Sequence, residues 1–390
     1  MKPRLSFWIG VAVFLAVGGT TLLGCTSGPT PPAKTEGCTA TTSCSGPVGQ
    51  WEHLGLSSDH LDVVSAIAVD RCDPQTIYAG TSASFSGGTP TVLFKSNNCG
   101  QSWDTLFVGG IQGGGITDLE LDPKQKGVVY ALPGPALKST DGGTTWSDMT
   151  KDFRLNTRAH DLEVHPHDPR ILYLNTGTFG SGRLLKSVNG GDSWTNLETD
   201  TFGPTEGEIV ISPSRPQVVY FLKGTTSDVY RTDDGGETWT KTSLRDWIDE
   251  PNETNTVQSV LVDADNSNVV YAGLGVEVPF GGDTVEGPLL VRSRDGGKTW
   301  QTYATGLPKR GIGQKLVQHR VTGELFLIYT DGNQGNLYRR PPGTEQWSSF
   351  GIDSLRTQSH FYGALEVVEA DNSLYFGLSG LYRMKLPLVE

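Results

Sequence analysis

The sequence predicts an all-β chain, folded as a seven-bladed β-propeller of four-stranded antiparallel blades. Three observations carry this prediction. One phrase, KSTDGGTTW at 138–146, returns with small changes: LFKSNNCGQSW ends at Trp103, LLKSVNGGDSW at Trp194, VYRTDDGGETW at Trp239 and VRSRDGGKTW at Trp300. The closing tryptophans at 103, 146, 194, 239, 300 and 347 are spaced 43, 48, 45, 61 and 47 residues apart, a period typical of repeat architectures. Ahead of each phrase lies a short apolar strand, a turn and a second strand, as in ITDLELDPKQKGVVYAL from Ile116 and AHDLEVHPHDPRILYLN from Ala159. Short strands punctuated by turn residues, without helical periodicity, argue β structure. Four strands per unit of this length argue propeller blades.

The chain opens with Lys2 and Arg4, an apolar run from Phe7 to Leu23, and then Leu22-Leu23-Gly24-Cys25. A basic region, an apolar stretch and small residues before a cleavage point form a secretory leader. LLGC resembles the lipobox of bacterial lipoproteins. That resemblance implies a leader over 1–24 and acylation of Cys25. Thr26 stands where many Gram-negative lipoproteins carry an inner-membrane retention Asp, so the expected address is the outer membrane of a bacterial envelope.

Residues 25–50 are rich in Pro, Thr, Ser and Gly and almost devoid of large apolar side chains. Such a segment cannot offset its ordering entropy by burial, and it reads as a tether with a reach of roughly 28 Å. Residues 51–390 then form the propeller.

The whole chain has a net charge of −12, and removing a leader that holds Lys2 and Arg4 makes it more acidic. No electrostatic footprint for nucleic acid is present. An acidic surface gains nothing from anionic lipid, so the membrane is reached through the acyl anchor alone. Four cysteines remain beside Cys25, in a compartment that permits disulfides. They allow three pairings. The expected one is Cys38–Cys44 and Cys72–Cys99, because Cys72 and Cys99 fall in two turns of blade one on the same face.

Seven units can be read, the last from Ala364. That unit lacks a fourth strand, and GQWEHLGL around Trp51 supplies one from the other end of the chain. The N-terminal strand therefore closes the ring.

The recurring Ser/Thr-x-Asp/Asn-x-Gly-x-Thr/Ser-Trp pattern resembles the Asp-box, or BNR repeat. Asn98, Asp141, Asn189, Asp234 and Asp295 hold its polar position, and Trp103, Trp146, Trp194, Trp239 and Trp300 close it. The polar side chain caps backbone N–H groups of a tight turn, and the Gly takes positive φ. Blade six departs: RRPPGTEQW keeps Trp347 without the Asp. The resemblance implies structural turns on the face opposite a binding site, not catalytic acids.

Asp-box propellers include sialidases, xyloglucanase-type glycoside hydrolases, sortilin receptors and photosystem assembly factors, which share a scaffold and not a chemistry. A sialidase's arginine motif is absent. The xyloglucanase-type enzymes place catalytic Asp residues on two propellers across a cleft, whereas the repeats here make one. No carboxylate pair stands out by motif at glycosidase separation.

Two features mark candidate binding surfaces. Polar positions of the channel-lining strands are Asp118, Glu120, Asp161, Glu163, Glu208 and Glu366, with Lys315 among them. The other feature is a pair of insertions around blade five, SLRDWIDEPNETNTVQ and VEVPFGGDTVEGP, carrying Trp247 and Phe280. Exposed aromatics on long loops suit sugar stacking or protein contact. HPHDP at 165–169 and DADNSN at 263–268 fall where other units have turns, and no bidentate Glu completes a calcium loop. No metal or cofactor motif appears. The expectation is a non-catalytic binding or assembly protein whose partner is an envelope protein or a glycan. The alternative is a glycoside hydrolase using acids at the channel mouth.

Overall fold

The computed structural model describes residues 43–56, 63–82, 91–108, 115–151, 158–177, 182–197, 207–223, 228–244, 254–277, 290–309, 311–330, 335–350, 363–377 and 380–387. The assignments made to Cys25, Cys38, Trp247 and Phe280, and to the leader, lie outside these residues.

The described strands form seven four-stranded antiparallel sheets. Blade one runs through Val63–Val69, Ile77–Ser82, Val92–Ser96 and Asp104–Val108. Blades two to six repeat this meander, beginning at Leu119–Leu121, Arg158–Val164, Gly207–Ile211, Thr254–Val262 and Ile312–Gln318. Blade seven is built from Leu365–Val368, Ser373–Gly377 and Leu381–Lys385, with Trp51–His53 as its fourth strand. Trp51 pairs with Met384 and His53 with Tyr382. The first strands of successive blades touch one another round the ring, so their outward-alternating residues line its middle.

Each of the seven apolar clusters sits at a seam between consecutive blades; six take one of the repeat tryptophans and the seventh takes Trp51. Trp146 of blade two packs into the cluster of Tyr78, Leu93 and Val129, between blades one and two. Trp194, Trp239, Trp300 and Trp347 do likewise against the blade before them. Trp103 fills the seam between blades seven and one, and Trp51 that between six and seven. The tryptophan therefore reaches beyond its own turn and glues blade to blade, which explains why every unit needs one.

The turns themselves are capped as their residues dictate. Asp141 Oδ1 accepts from Ser139 Oγ and Thr145 N, each at 2.8 Å, and its Oδ2 from Thr145 Oγ1 at 2.6 Å. Asp234 and Asp295 repeat the arrangement. In Asn98 and Asn189 the amide oxygen accepts from the corresponding Ser N–H while the amide nitrogen donates to its hydroxyl. The first Gly of each box is left-handed, with φ of 74°, 72°, 72° and 78° at Gly142, Gly190, Gly235 and Gly296.

Blade one places Cys99 at that glycine position, with φ of 63°, and this cysteine is bonded to Cys44, not to Cys72. The expected pairing is corrected in both halves. Adjacent turns of a blade do lie side by side, but the residue abutting Cys99 is Gln75, whose carbonyl accepts from Cys99 N at 3.0 Å. Cys72 lies three residues earlier, at the Asp70-capped start of that turn. The N-terminal segment lays Cys44 over the same place, within 3.2 Å of the Pro74 carbonyl. Cys72 is itself disulfide-bonded, to a partner outside the described residues. The chain is thus docked on the propeller well before residue 51: Cys44 is buried, and Val48 bridges to Lys385.

A further set of ties crosses the seams. The basic residue near the end of the third strand lies over the tyrosine of the second and reaches a turn of the next blade. Lys95, 5.3 Å from the Tyr78 ring centre, donates to the Gly142 carbonyl at 3.0 Å. Lys138 donates to Gly190 and Lys186 to Gly235, at 2.8 and 2.7 Å. Arg231 stacks on Tyr220 and donates to Asn268 at 2.9 Å. Arg383 closes the ring, donating to the Cys99 carbonyl at 3.4 Å. The recurring Lys-Ser and Arg-Thr pairs were the sequence signal for this tie.

Candidate functional site

The channel-lining acids come together as two rungs. In one, Asp118, Asp161 and Glu208 share a level with Lys315. In blades three and six a β-bulge immediately before the rung residue, between Ala159 and Asp161 and between Gly313 and Lys315, re-aims the side chain. The second rung holds Glu120, Glu163 and Glu366, which sit opposite Tyr130, Tyr173 and Tyr375 of their second strands. Toward the Asp-box face, Arg71, Arg320 and Glu369 stand at the ends of their strands and act electrostatically on this rung. These three were missed in the sequence because each sits in a turn, where a charge reads as solvated surface.

Four of the channel acids, the first-rung three and Glu366, are not free in the channel. Asp118 Oδ2 accepts from Leu162 N of blade three at 3.0 Å, and its Oδ1 from Leu119 N at 2.8 Å. Asp161 accepts from Ile209 N of blade four at 2.6 Å. Glu208 accepts from Val260 N of blade five at 3.0 Å and pairs with Lys315 at 3.1 Å. Glu366 of blade seven accepts from Val69 N of blade one at 3.1 Å. Each carboxylate therefore reaches forward to an inner-strand N–H of the next blade, where an unpaired donor would carry a desolvation cost. Glu120 and Glu163 make no hydrogen bond or ion pair among the described residues.

The electrostatics follow from this crowding. Burial within the ring, and then the neighbouring carboxylates, push Glu120, Asp161 and Glu163 well above the ordinary carboxylate range. Burial raises Asp118 as well, against its two backbone hydrogen bonds and Lys315. It carries Glu366 up to about 8, despite the pull of Arg71. Glu208 holds the Lys315 ammonium above its usual range. Arg71 and burial bring the Arg320 guanidinium down to about 10. By contrast, hydrogen bonds from Thr145 hold the box residue Asp141 down at about 2.

The two apparent metal motifs are turn caps. His165 Nδ1 accepts from His167 N and Asp168 N at 3.2 and 3.0 Å, and Asp168 pairs with Arg170 at 2.7 Å. Asp263 accepts from Asp265 N and Asn266 N, each at 3.1 Å, and from Gln318 at 2.9 Å. Around blade five, the hairpin of Thr254–Val262 and Val270–Glu277 is the longest pair of strands described.

Fold and turns together define a seven-bladed β-propeller carrying BNR/Asp-box repeats. A family model described as BNR/Asp-box repeat matches residues 230–241 and 291–302, the box segments of blades four and five. Among curated proteins, the chain is similar to a xyloglucanase of Paenibacillus sp., 27% identical over 304 residues, which cover 68% of this chain and 29% of the relative. It is also similar to the photosystem II assembly lipoprotein Ycf48 of Synechococcus sp. (strain CC9902), 27% identical over 140 residues, or 35% of this chain and 38% of the relative. The chain thus spans well under two thirds of either relative's length. Among solved structures, one of YCF48 bound to D1 peptide superposes with a TM-score of 0.59 at 13% identity, covering 89% of this chain and 100% of that one. At that identity the likeness is one of fold.

Proposed function

We propose that the chain is a non-catalytic binding or assembly lipoprotein of a bacterial envelope, acylated at Cys25. It engages a protein partner, or a glycan, through the loop-bearing face beside blades four and five. The observation that carries this reading is the state of the channel acids. Asp118, Asp161, Glu208 and Glu366 are engaged by backbone N–H groups of neighbouring blades, which is the work of structural staples. A glycosidase needs two carboxyls free to face one glycosidic bond. Ycf48, an assembly lipoprotein, supports the protein partner over the glycan.

The test is capture of partners from native envelope extract by the exported chain with Cys25→Ser, compared with the same chain carrying Trp247→Ala and Phe280→Ala. The reading requires a partner that the double variant loses. Equal capture by both would remove the aromatic patch from consideration.

A second reading, glycoside hydrolysis, draws on the xyloglucanase similarity across 68% of the chain and on Glu120 and Glu163, which make no hydrogen bond or ion pair among the described residues. Release of oligosaccharides from xyloglucan by the native chain, lost in Glu120→Gln or Glu163→Gln, would favour it over the binding role.

A further inference from the structure

The break in the repeat at blade six creates a cluster that the other blades lack. In blades one to five the residue opening the box is Ser or Thr, and it pairs across the sheet with the apolar residue that starts the second strand, as Ser293 does with Val270. The position equivalent to Ser293 in blade six is Arg340, paired with Leu325. Lys95, Lys138, Lys186 and Arg383 grip the next blade's box, whereas Arg231 of blade four grips Asn268 in the first turn of blade five. Arg292 of blade five, paired with Tyr271 as Arg231 is with Tyr220, finds no box in blade six.

Both orphaned arginines turn onto one ring. The Arg292 and Arg340 guanidinium carbons lie 4.0 and 4.4 Å from the centre of Tyr303. Both residues are more than nine-tenths buried, at 8% and 7% exposure. Arg292 Nη2 and Nε face the Gln301 amide oxygen, at 2.9 and 3.3 Å in the amide orientation that satisfies both groups. Arg340 Nε is buried with no hydrogen-bond partner among the described residues. Among the described residues the one carboxylate beside them is Glu345, whose Oε1 alone stands 3.5 Å from Arg292 Nη1 and 3.7 Å from Arg340 Nη2. Those distances lie beyond hydrogen-bonding range. The Glu345 side chain is 62% exposed, so little holds it there.

We propose that Arg292 and Arg340 form an anion clasp on the Asp-box side of the seam between blades five and six, which takes a carboxylate of an acidic peptide segment in place of Glu345. Two guanidinium forks facing one oxygen match a planar carboxylate that gives an oxygen to each. A monoanion exchanged for Glu345 leaves the charge of the cluster unchanged. A peptide fits better than an acidic sugar, because the aromatic faces at the site are already covered: Tyr271, Tyr303 and Trp347 are all buried. The site is on the side opposite the loop face and does not depend on the function proposed above.

The probe is fluorescein-labelled hexaglutamate, read by anisotropy against the full exported chain, with hexaglutamine as control. Binding of hexaglutamate alone is the expected result. Glu345→Ala removes the resident competitor and should tighten it, a gain that no folding defect can mimic. Arg340→Ser restores the residue the other boxes carry and should weaken binding on the order of tenfold or more, the scale of a lost charge-assisted hydrogen bond. Arg292→Gln should do the same. The thermal midpoint of each variant is measured alongside. Unchanged affinity in Glu345→Ala, or in both arginine variants, overturns the clasp. Stronger competition by inorganic phosphate than by glutarate overturns the carboxylate assignment. Tighter binding of oligogalacturonate than of hexaglutamate overturns the peptide.

Discussion

Cys99 occupies a position that its sister turns give to glycine, and this sets up a separable pair of effects. At φ of 63°, a side chain costs about 1–2 kcal/mol relative to glycine. The crosslink to Cys44 spans a sequence separation of 55, for which loop-closure entropy gives at most about 4 kcal/mol. The second disulfide, at Cys72, already restrains the same region, so the realised value falls below that ceiling. A realised value above about 2 kcal/mol outweighs the strain and would account for a cysteine being held in a left-handed turn. The decisive comparison is Cys44→Ala/Cys99→Ala against Cys44→Ala/Cys99→Gly. Both lose the bridge, and only the second regains the turn's preferred residue. By urea unfolding, the glycine version should be more stable by about 1 kcal/mol, and both should be less stable than the native protein. An alanine version equal to or more stable than the glycine version would refute the reasoning, since the strain at this position would then carry no cost.

Other consequences follow from the seams and the channel. Trp347→Ala should cost about 3–5 kcal/mol, because its buried ring joins blade six to blade five and its indole donates to the Tyr303 carbonyl at 2.9 Å; chemical denaturation measures this. Asp161→Ala should cost about 1–3 kcal/mol, by leaving Ile209 N without its acceptor, and amide exchange at Ile209 should accelerate. A carboxyl whose folded pKa exceeds its unfolded value binds more protons folded than unfolded between the two. Glu366, facing Arg71, Arg320, Glu369 and Glu120 and raised to about 8, thus lowers stability as pH climbs from about 4.5 to 8. The thermal midpoint should fall across that window, and fall less in Glu366→Gln. Asp141, held at about 2, acts oppositely, and its stabilisation is lost only as pH drops below about 4.

Much of the fold was legible because its signals are local. Strand alternation, the period and the box turns each lie within a dozen residues, and they lead directly to seven blades and to Trp51 as the closing strand. What the tryptophans do was only partly legible, since Trp146 contacts strands of the preceding blade. The disulfide was misread for the same reason. The proximity of two turns could be inferred, but not that Cys44 would fold back over Pro74. The candidate site shows this limit most clearly. The sequence places Asp118, Asp161 and Glu208 on channel-lining strands, where they read as a candidate binding surface. Their acceptor role depends on N–H groups from 44 to 52 residues away, and strand pattern alone does not report that.

Repetition makes the exceptions informative. A unit copied six or seven times under one packing rule predicts its own residues, so a departure needs a separate cause. Most departures here are single and compensated: Asn for Asp at positions 98 and 189 keeps the capping oxygen, and Cys99 is bonded. Two are not compensated in that way, and they fall in neighbouring blades. In the sequence the insertions flank strands of blade five. Blade six replaces its box serine with Arg340 and drops the Asp, and Arg292 meets no Asp-box in the next blade. A ring held by identical seams loses stability where a seam is altered. The altered seam here still buries Trp347 and Tyr303 and gathers two guanidiniums over the Tyr303 ring. Packing has therefore been kept while the turn's polar chemistry has been exchanged, which is the pattern expected where a structural repeat has been turned toward binding.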